Sequence, residues 1–281
     1  MEKDIDGRVF PLIHIFEAFI SRADVDKSYF FVYNNFIQIF WSKEMIKAIF
    51  FDLDGTLLPM DQDEFIKAYL GGLVKTLAPR GYDPEAIASA LWTSTRAMMK
   101  NDGRITNEEM FWQSFSAILG ENVRKEEGRL ADFYAGDFQK VSSTCGCNPK
   151  SRELIDRLKD TDLRIILATS PLFPTVATYS RIAWAGLEPS DFEYVTTYEN
   201  SRYCKPNPTY YTDLCEKLGL EPCEVAMIGN DVGDDMVAAG LGMKVFLLTD
   251  YLINRKDEDI SHYTHGSFPE LFEFIEEIIN E

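Results

Sequence analysis

Along most of the chain, short apolar runs typical of buried strands alternate with stretches whose apolar residues recur at helical spacing. Short apolar runs bounded by turn residues predict buried strands at residues 47–54, 163–170, 192–200, 224–231 and 244–250. Between them apolar residues recur at helical spacing, and this pattern predicts helices that begin near Ser151, Pro174 and Pro208. Strands that alternate with helices in this way favour an α/β fold with a doubly wound parallel sheet.

The stretch between the first and second predicted strands has a different pattern. Residues 60–144 carry apolar residues at helical spacing and no convincing strand, and Asp83 and Thr106 are typical residues for helix starts. A crossover between two strands needs far fewer residues. We therefore expect an inserted helical domain here, and a core formed by residues 45–59 and 145–281.

Residues 1–44 fit neither period well, and their aromatic stretch at 29–41 precedes Met45 directly. Two interpretations stay open. The segment is either a genuine appendage that packs on the core or on a partner, or upstream sequence translated from a misassigned start codon. We favour the second, because every predicted strand follows Met45.

The charge balance restricts the partners. Asp and Glu total 46 against 28 Lys and Arg, a formal net charge of −18 that repels nucleic acid and anionic membrane surfaces. No run reaches the roughly 18 apolar residues that a membrane span needs. The five cysteines are odd in number and show no disulfide spacing, so we expect a reducing, cytoplasmic setting. With only three scattered histidines, a His-centred or zinc-based hydrolase is disfavoured.

Polar side chains follow the predicted strands at the edge where open α/β sheets bind ligands. Asp52 and Asp54 follow the first strand, Thr169 and Ser170 end the second, and Lys205 comes after the third. Singly, each has an ordinary structural explanation in a turn, a strand or a loop. Their shared placement favours a common functional site.

The fourth predicted strand ends in Asp231, with Asp234 and Asp235 just beyond it. Crowded carboxylates repel one another unless a cation joins them, and oxygen ligands of this kind suit Mg²⁺. Asp52 and Asp231 could share such an ion, which would also offset the acidic net charge for an incoming phosphate.

The two acids of the first strand need different tasks. An ionised Asp52 can attack phosphorus and give an aspartyl-phosphate, whereas Asp54 can protonate the leaving oxygen and then take a proton from water. Gly55 allows a tight turn after the strand. Backbone N–H groups, the Thr169 hydroxyl and Lys205 can hold the phosphoryl oxygens.

Four segments together resemble the haloacid dehalogenase superfamily of phosphotransferases. They are DLDGT at 52–56, Thr169 at a strand end, Lys205 before a proline and GNDVGDD at 229–235, and they occur in that order. The helical insert after the first motif resembles the type-one cap of β-phosphoglucomutase and phosphoglycolate phosphatase relatives. The resemblance implies a Rossmann-like core beneath that cap.

Residue roles follow from the resemblance position by position. It implies that Asp52 is the nucleophile and a Mg²⁺ ligand. Asp54 would be the acid/base, with its backbone carbonyl on the metal. Thr169 and Lys205 would bind phosphate.

The resemblance further implies that Asp231 is a metal ligand and that Asp235 supports the metal's water shell. The sequence departs from the family pattern at two positions. Asn230 precedes Asp231 where glycine is common, and Ser170, the remaining candidate for phosphate binding, follows the motif threonine where asparagine is common.

These residues favour a Mg²⁺-dependent phosphatase that acts on a small soluble phosphorylated metabolite. A phosphomutase of the β-phosphoglucomutase type stays open, because it would use the same two acids and differ in excluding water. A weakly active regulatory or binding module on the same scaffold also stays open. The predicted helical domain offers four basic residues as specificity groups, although long basic side chains are mostly exposed: Arg80, Arg96, Lys100 and Arg104.

Overall fold

The structure, a computed structural model, describes residues 45–281, of which 46–281 form one compact unit. The interpretations placed on residues 1–44 lie outside the described residues. Among the residues from 45 onward, no helix combines the length and the apolar character that crossing a membrane requires.

Strands and helices alternate in the core, as the sequence pattern predicts. The strands are β1 (Ala48–Phe51), β2 (Arg164–Leu167), β3 (Tyr194–Val195), β4 (Val225–Gly229), β5 (Lys244–Leu248) and β6 (Thr264–Gly266). The helices inserted after β1 are α1 (Gln62–Leu77), α2 (Pro84–Met99), α3 (Asn107–Leu119) and α4 (Glu127–Ala135). Those of the core are α5 (Pro149–Lys159), α6 (Thr175–Trp184), α7 (Pro208–Leu218) and α8 (Phe268–Asn280).

The strands form one six-stranded sheet in the order β3-β2-β1-β4-β5-β6, and every pairing is parallel. This confirms the predicted doubly wound α/β core. The chain reverses direction of winding between β1 and β4, and open sheets bind ligands outside the strand ends at such a point. Phe51, the last residue of β1, is in register with Leu167 of β2 and Ile228 of β4. The polar residues that follow these strands therefore meet at one edge.

Side chains of β1 alternate between two apolar layers. Ile49 and Phe51 belong to the cluster that includes α5, α6, α8 and the inserted helices, whereas Ala48 and Phe50 pack with α7 on the other face. All four are fully buried. A strand buried on both faces reads as a continuous apolar run, which explains why the pattern predicted it well.

Two helix starts in the insert are confirmed. The Asp83 side chain accepts from the backbone N–H of Ala86 at 2.9 Å, and Thr106 and Glu109 form a reciprocal capping box. The expected helical pattern over 121–139 is broken, because only α4 is α-helical and tighter 3₁₀ turns flank it. The division of the chain into an inserted domain at 60–144 and a core around it stays a prediction.

The predicted start of α5 at Ser151 is wrong. The helix begins at Pro149, and the Asn148 side chain accepts from the backbone N–H of Lys150 at 3.1 Å. Proline suits the first helical position because it lacks the N–H that would be left unpaired there. Ser151 is instead buried inside the helix, and its hydroxyl donates to the Leu57 carbonyl at 2.7 Å.

Candidate active site

Asp52 lies at the edge of the sheet directly after β1. Its backbone N–H donates to the Ile228 carbonyl of β4 at 2.9 Å, so the strand pairing continues to this residue and fixes where the carboxylate stands. The side chain is mostly buried. The Thr56 hydroxyl lies 3.4 Å from Asp52 Oδ2, on the turn that closes over the strand end.

Gly55 has the left-handed backbone that the sequence pattern predicts, with φ of 87°. The space above it is filled by Asn230, because a Cβ on Gly55 would come within 2.2 Å of Asn230 Nδ2. Asn230 is held by its own hydrogen bonds, to the Tyr251 carbonyl at 2.6 Å and from the Thr56 hydroxyl at 3.2 Å. This close approach explains why position 55 needs glycine.

Lys205 is a fully buried cation between two carboxylates. Its Nζ donates to Asp52 Oδ1 at 2.9 Å and to Asp235 Oδ1 at 2.6 Å. Burial alone would lower the pKa of Lys205, but the Asp235 and Asp52 charges hold that pKa well above its usual range. The ammonium therefore stays charged beside Asp52 and Asp235.

Asp235 contacts both Lys205 and the backbone that follows β4. Its Oδ2 accepts from the backbone N–H of Asp231 at 2.9 Å. A Cβ on Gly229 would lie 2.1 Å from this same Oδ2, so only glycine lets the carboxylate pass behind the strand end. Asp235 thus supports Asp231 and Lys205 at once, without itself facing outward.

Asp231 is fixed by a local turn. Its Oδ1 accepts from the backbone N–H groups of Gly233 and Asp234 at 2.8 and 3.1 Å. Its Oδ2 is 2.5 Å from Nη1 of Arg255, an exposed residue of the loop after β5. One oxygen is therefore committed to the fold and the other to an ion pair at the site.

Asp54 forms an ion pair with Arg181 of α6. Burial raises the pKa of Asp54 to about 6, while the Arg181 guanidinium opposes the rise and the Asp52 charge adds to it. Asp54 Oδ1 is buried and has no hydrogen-bond partner. Asp52 and Asp54 thus each pair with a buried cation, but Asp54 also keeps one unsatisfied oxygen and has a raised pKa.

All seven predicted site residues line or underlie a single cavity of about 240 Å³ at the edge of the sheet. They are Asp52, Asp54, Thr169, Ser170, Lys205, Asp231 and Asp235. The inserted helices close this cavity with Gln62, Phe65, Ile66 and Met99. Among the described residues that line it, none of the four basic candidates of the insert appears; Arg80 and Arg104 instead pair with Glu126 and Asp102.

The side chains around Asp52 offer oxygen atoms, which are the ligands that Mg²⁺ prefers. Within residues 45–281 no three Asp, Glu, His or Cys side chains converge as a ready metal cage. Mg²⁺ binds through one or two carboxylates and keeps waters and phosphate oxygens as its other ligands. Asp52 and Asp231 both line the cavity, and their carboxylate oxygens are of the kind that Mg²⁺ prefers.

Two residues of the site carry no signal in the sequence. Arg181 looks like any basic residue of an amphipathic helix, and Arg255 stands in a polar loop. Only the fold brings Arg181 to Asp54 and Arg255 to Asp231. Asn230 and Asp234 also line the cavity, and both lie inside the GNDVGDD motif that pointed to this edge.

Comparison with known proteins assigns the chain to a family. The family model for haloacid dehalogenase-like hydrolases matches residues 46–242. The phosphoglycolate phosphatase of Vibrio parahaemolyticus is 26% identical over 212 residues, covering 74% of this chain and 86% of that protein. The pyrophosphatase PpaX of Bacillus velezensis is 24% identical over 199 residues, covering 71% of this chain and 81% of that protein.

Solved structures share the fold. A haloacid dehalogenase-like phosphatase of Thermococcus onnurineus superposes with a TM-score of 0.53 at 20% identity, covering 82% of this chain and 98% of that chain. A 2-haloacid dehalogenase of Pseudomonas syringae gives 0.55 at 16% identity, covering 83% and 99%. Since the family model spans well over half of the sequence, the chain is an enzyme that belongs to the haloacid dehalogenase-like hydrolases.

Proposed function

We propose that this chain is a Mg²⁺-dependent phosphatase that hydrolyses a small phosphomonoester through an aspartyl-phosphate on Asp52. The observation that carries the proposal is the contrast between the two motif acids. Asp52 is held beside the buried Lys205 ammonium at 2.9 Å, and Asp54 has a pKa raised to about 6. A carboxylate held beside a buried ammonium suits a nucleophile, and a neighbouring acid with a raised pKa suits a proton donor.

The enzyme class is that of the phosphoric monoester hydrolases. The family match supports it, together with relatives that are named as phosphatases. The acid at position 54 agrees with this class, because phosphoryl transfer to and from an aspartate needs a group that protonates the alcohol and later activates water.

In the first half of the reaction, an oxygen of Asp52 attacks phosphorus and the bond from phosphorus to the ester oxygen breaks. Asp54 gives its proton to that oxygen, and the alcohol leaves. Lys205 and the Thr169 hydroxyl face the cavity where the phosphoryl oxygens would lie, and Ser170 borders it. Lys205 compensates part of the charge that Asp52 and the phosphoryl group bring together.

In the second half, water attacks the phosphorus of the aspartyl-phosphate. Asp54, now ionised, takes the proton of that water, and the bond from phosphorus to Asp52 breaks to release phosphate. Arg181 favours the ionised form that this step needs, since it pairs with the Asp54 carboxylate. The first enzyme form is thereby restored, with Asp54 protonated again.

Asp52, Asp231 and the Asp54 carbonyl would hold the Mg²⁺ ion, which when bound offsets the charge of the phosphoryl group. Asp235 acts from behind, through Lys205 and the backbone of Asp231. We also propose that the insert at 60–144 serves as a cap that closes over the bound ester, since α1 and α2 supply side chains to the cavity wall.

The test is phosphate release from a panel of phosphomonoesters, with and without Mg²⁺. We expect activity that is lost in EDTA and restored by Mg²⁺, and that is abolished in Asp52→Asn. Asp162→Asn, an exposed aspartate of the loop before β2, is the matched control and should keep full activity. Full turnover in Asp52→Asn, or activity that ignores the metal, would refute the proposal.

A further inference from the structure

A second cavity, of about 400 Å³, adjoins the active-site cavity beneath the inserted helices. Ile66, Leu172 and Phe173 line both cavities, so they form the boundary between them. A group esterified to a phosphate beside Asp52 is therefore within reach of this second cavity. Pockets of this volume accommodate small organic molecules.

Eight of the twenty residues that line the second cavity are aromatic. They include Tyr69, Phe111, Trp112, Tyr134 and Tyr198, besides the shared Phe173. Aromatic faces are negative and attract cations, most strongly where water is excluded. An apolar or aromatic body would bury well against these rings, and a cation would gain from their faces.

Three carboxylates stand among these rings, and no Lys, Arg or His of the described residues lines the cavity with them. They are Glu108, Glu127 and Glu199. Burial, with the charges of Glu199 and Glu127 adding to it, raises the pKa of Glu108. Two arginines stand behind the rings of the wall: the guanidinium carbon of Arg124 lies 4.8 Å from the Trp112 centroid, and that of Arg181 lies 4.3 Å from the Phe173 centroid. The side chains that line the cavity itself are therefore mostly apolar, and the charged ones among them are all acidic.

Glu199 has the most specific geometry of the three. Its Oε1 accepts from the backbone N–H of Thr175, the first residue of α6, at 2.8 Å, which fixes the side chain. Its Oε2 is buried and has no hydrogen-bond partner. A buried carboxylate oxygen without a partner is costly, and a donor from a ligand would satisfy it.

We propose that the substrate is the phosphomonoester of an apolar or aromatic alcohol that carries a cationic amine, and that Glu199 binds this amine. The inference rests on the proposed phosphatase function and assigns its substrate class. The phosphate end lies with Lys205 at the sheet edge, and the ammonium end lies among the rings of the second cavity. An ester with a neutral group at that end leaves Glu199 Oε2 unpaired, so it is the poorer substrate.

The test compares two esters of nearly equal shape, 4-(2-aminoethyl)phenyl phosphate and the neutral 4-propylphenyl phosphate. We expect kcat/KM to be about tenfold to hundredfold higher for the amine, the size expected when a charged hydrogen bond is made. Glu199→Gln should remove this preference, so that the kcat/KM values of the two esters come within about twofold of each other. The glutamine keeps an oxygen for the Thr175 N–H, so the start of α6 is retained.

Asp132→Asn is the matched control, because Asp132 is an exposed acid of α4 that does not line the cavity. This variant should keep the preference for the amine. Equal turnover of both esters by the unchanged enzyme, or a preference that survives Glu199→Gln, would overturn the assignment of the substrate class and leave the phosphatase function standing.

A binding measurement separates the two proposals further. Calorimetric titration with 4-(2-aminoethyl)phenol should show binding at least tenfold tighter than 4-propylphenol, and Glu199→Gln should abolish the difference. This readout needs no catalysis, so it stands even where phosphate release fails. Equal affinity of the two phenols for the unchanged enzyme would refute the amine site.

Discussion

Arg181 and Asp54 form a buried ion pair across the active site, one from α6 and the other from the turn after β1. The Arg181 side chain is 1% exposed, and its guanidinium carbon lies 4.3 Å from the centroid of the Phe173 ring. Only Oδ2 of Asp54 takes part in the pair, which leaves Oδ1 without a partner. In the mechanism proposed above, Arg181 would thus be a positioning residue that presents one carboxyl oxygen of Asp54 to the leaving group.

Replacing Arg181 should therefore impair the proton transfer more than the attack. Arg181→Gln should lower kcat for an alkyl phosphate by roughly tenfold to hundredfold, the cost of a misplaced catalytic group. The loss on p-nitrophenyl phosphate should be several times smaller, because that leaving group needs little protonation. Steady-state kinetics on both esters, with a melting curve to verify the fold, measure this.

Arg157→Gln serves as the control, since Arg157 is a half-exposed arginine that pairs with Glu276 away from the site. It should leave both rates unchanged. An Arg181→Gln enzyme that loses the same factor on both esters would show that Arg181 does not act through the proton transfer.

Removal of the proton donor itself should separate the two half-reactions. In Asp54→Asn, Asp52 and the backbone carbonyl of residue 54 remain. With p-nitrophenyl phosphate the first half-reaction then proceeds, but hydrolysis of the aspartyl-phosphate lacks its base. Rapid mixing should show a burst of nitrophenol near one equivalent per site, followed by a steady rate that is roughly 10²–10⁴-fold below that of the unchanged enzyme.

Alkyl phosphates give the counterpart of that experiment. Their leaving oxygen needs a proton, so even the first turnover of Asp54→Asn should be slow by a similar factor. If Asp54→Asn slows equally on both kinds of ester and shows no burst, Asp54 is not the acid/base.

Arg255 and Mg²⁺ compete for Asp231 in this account. Arg255 Nη1 lies 2.5 Å from Asp231 Oδ2, and its Nη2 lies 3.4 Å from Gln62 Oε1 at the start of α1. Arg255→Gln should lower the Mg²⁺ concentration for half-maximal activity by about twofold to fivefold, the size expected of an exposed ion pair. Asp231→Ala should raise that concentration steeply. An Arg255→Gln enzyme with unchanged Mg²⁺ dependence and a raised KM would instead make Arg255 a substrate ligand.

Asp191 should stabilise the core at neutral pH. Its buried carboxylate accepts hydrogen bonds from Nη1 of Arg152 at 2.6 Å and from the backbone N–H of Glu188 at 2.7 Å. It also forms an ion pair with Lys159. Burial would raise the pKa of Asp191, but the bonds from Arg152 and Lys159 outweigh it and lower that pKa below its usual range. Asp191→Asn should cost about 1–3 kcal/mol of unfolding free energy at pH 7.

The sign of the pH dependence follows from the lowered pKa. The stabilisation is present above the unfolded-state pKa, about 3.9 for an aspartate, and is lost as the pH falls through the native value. Urea unfolding at a series of pH values should show the two proteins converging in acid. A difference that persists unchanged after Asp191 is protonated would contradict the ion-pair explanation.

The sequence predicted the position of the site better than it predicted the smaller strands and the helix ends. Asp52 and Asp231 could be placed at one edge because each follows a strongly apolar strand, and parallel strands bring such ends together. β6 was missed, since Thr264–Gly266 has three residues, is polar and mostly exposed, and so lacks the apolar signal of a strand. The N-cap of α5 was misplaced by three positions, from Asn148 to Ser151, because both residues are good caps.

Side-chain partners were beyond the sequence for a different reason. Arg181 is separated from Asp54 by 127 positions, and Arg255 from Asp231 by 24, so no local pattern joins them. Glu199 follows the third strand, yet its unpaired oxygen depends on how the inserted helices pack over it. Such contacts are set by tertiary packing, which residue periodicity does not encode.

The central claim is that the phosphoryl group passes through Asp52, and covalent trapping tests it most directly. Asp54→Asn would be mixed with p-nitrophenyl phosphate and Mg²⁺, quenched in acid, digested and analysed by mass spectrometry, beside Asp52→Asn treated in the same way. The account predicts a phosphorylated peptide whose modified residue is Asp52 and which is absent from the Asp52→Asn digest. Turnover with no phosphoryl group on Asp52, or with one on another residue, would contradict it.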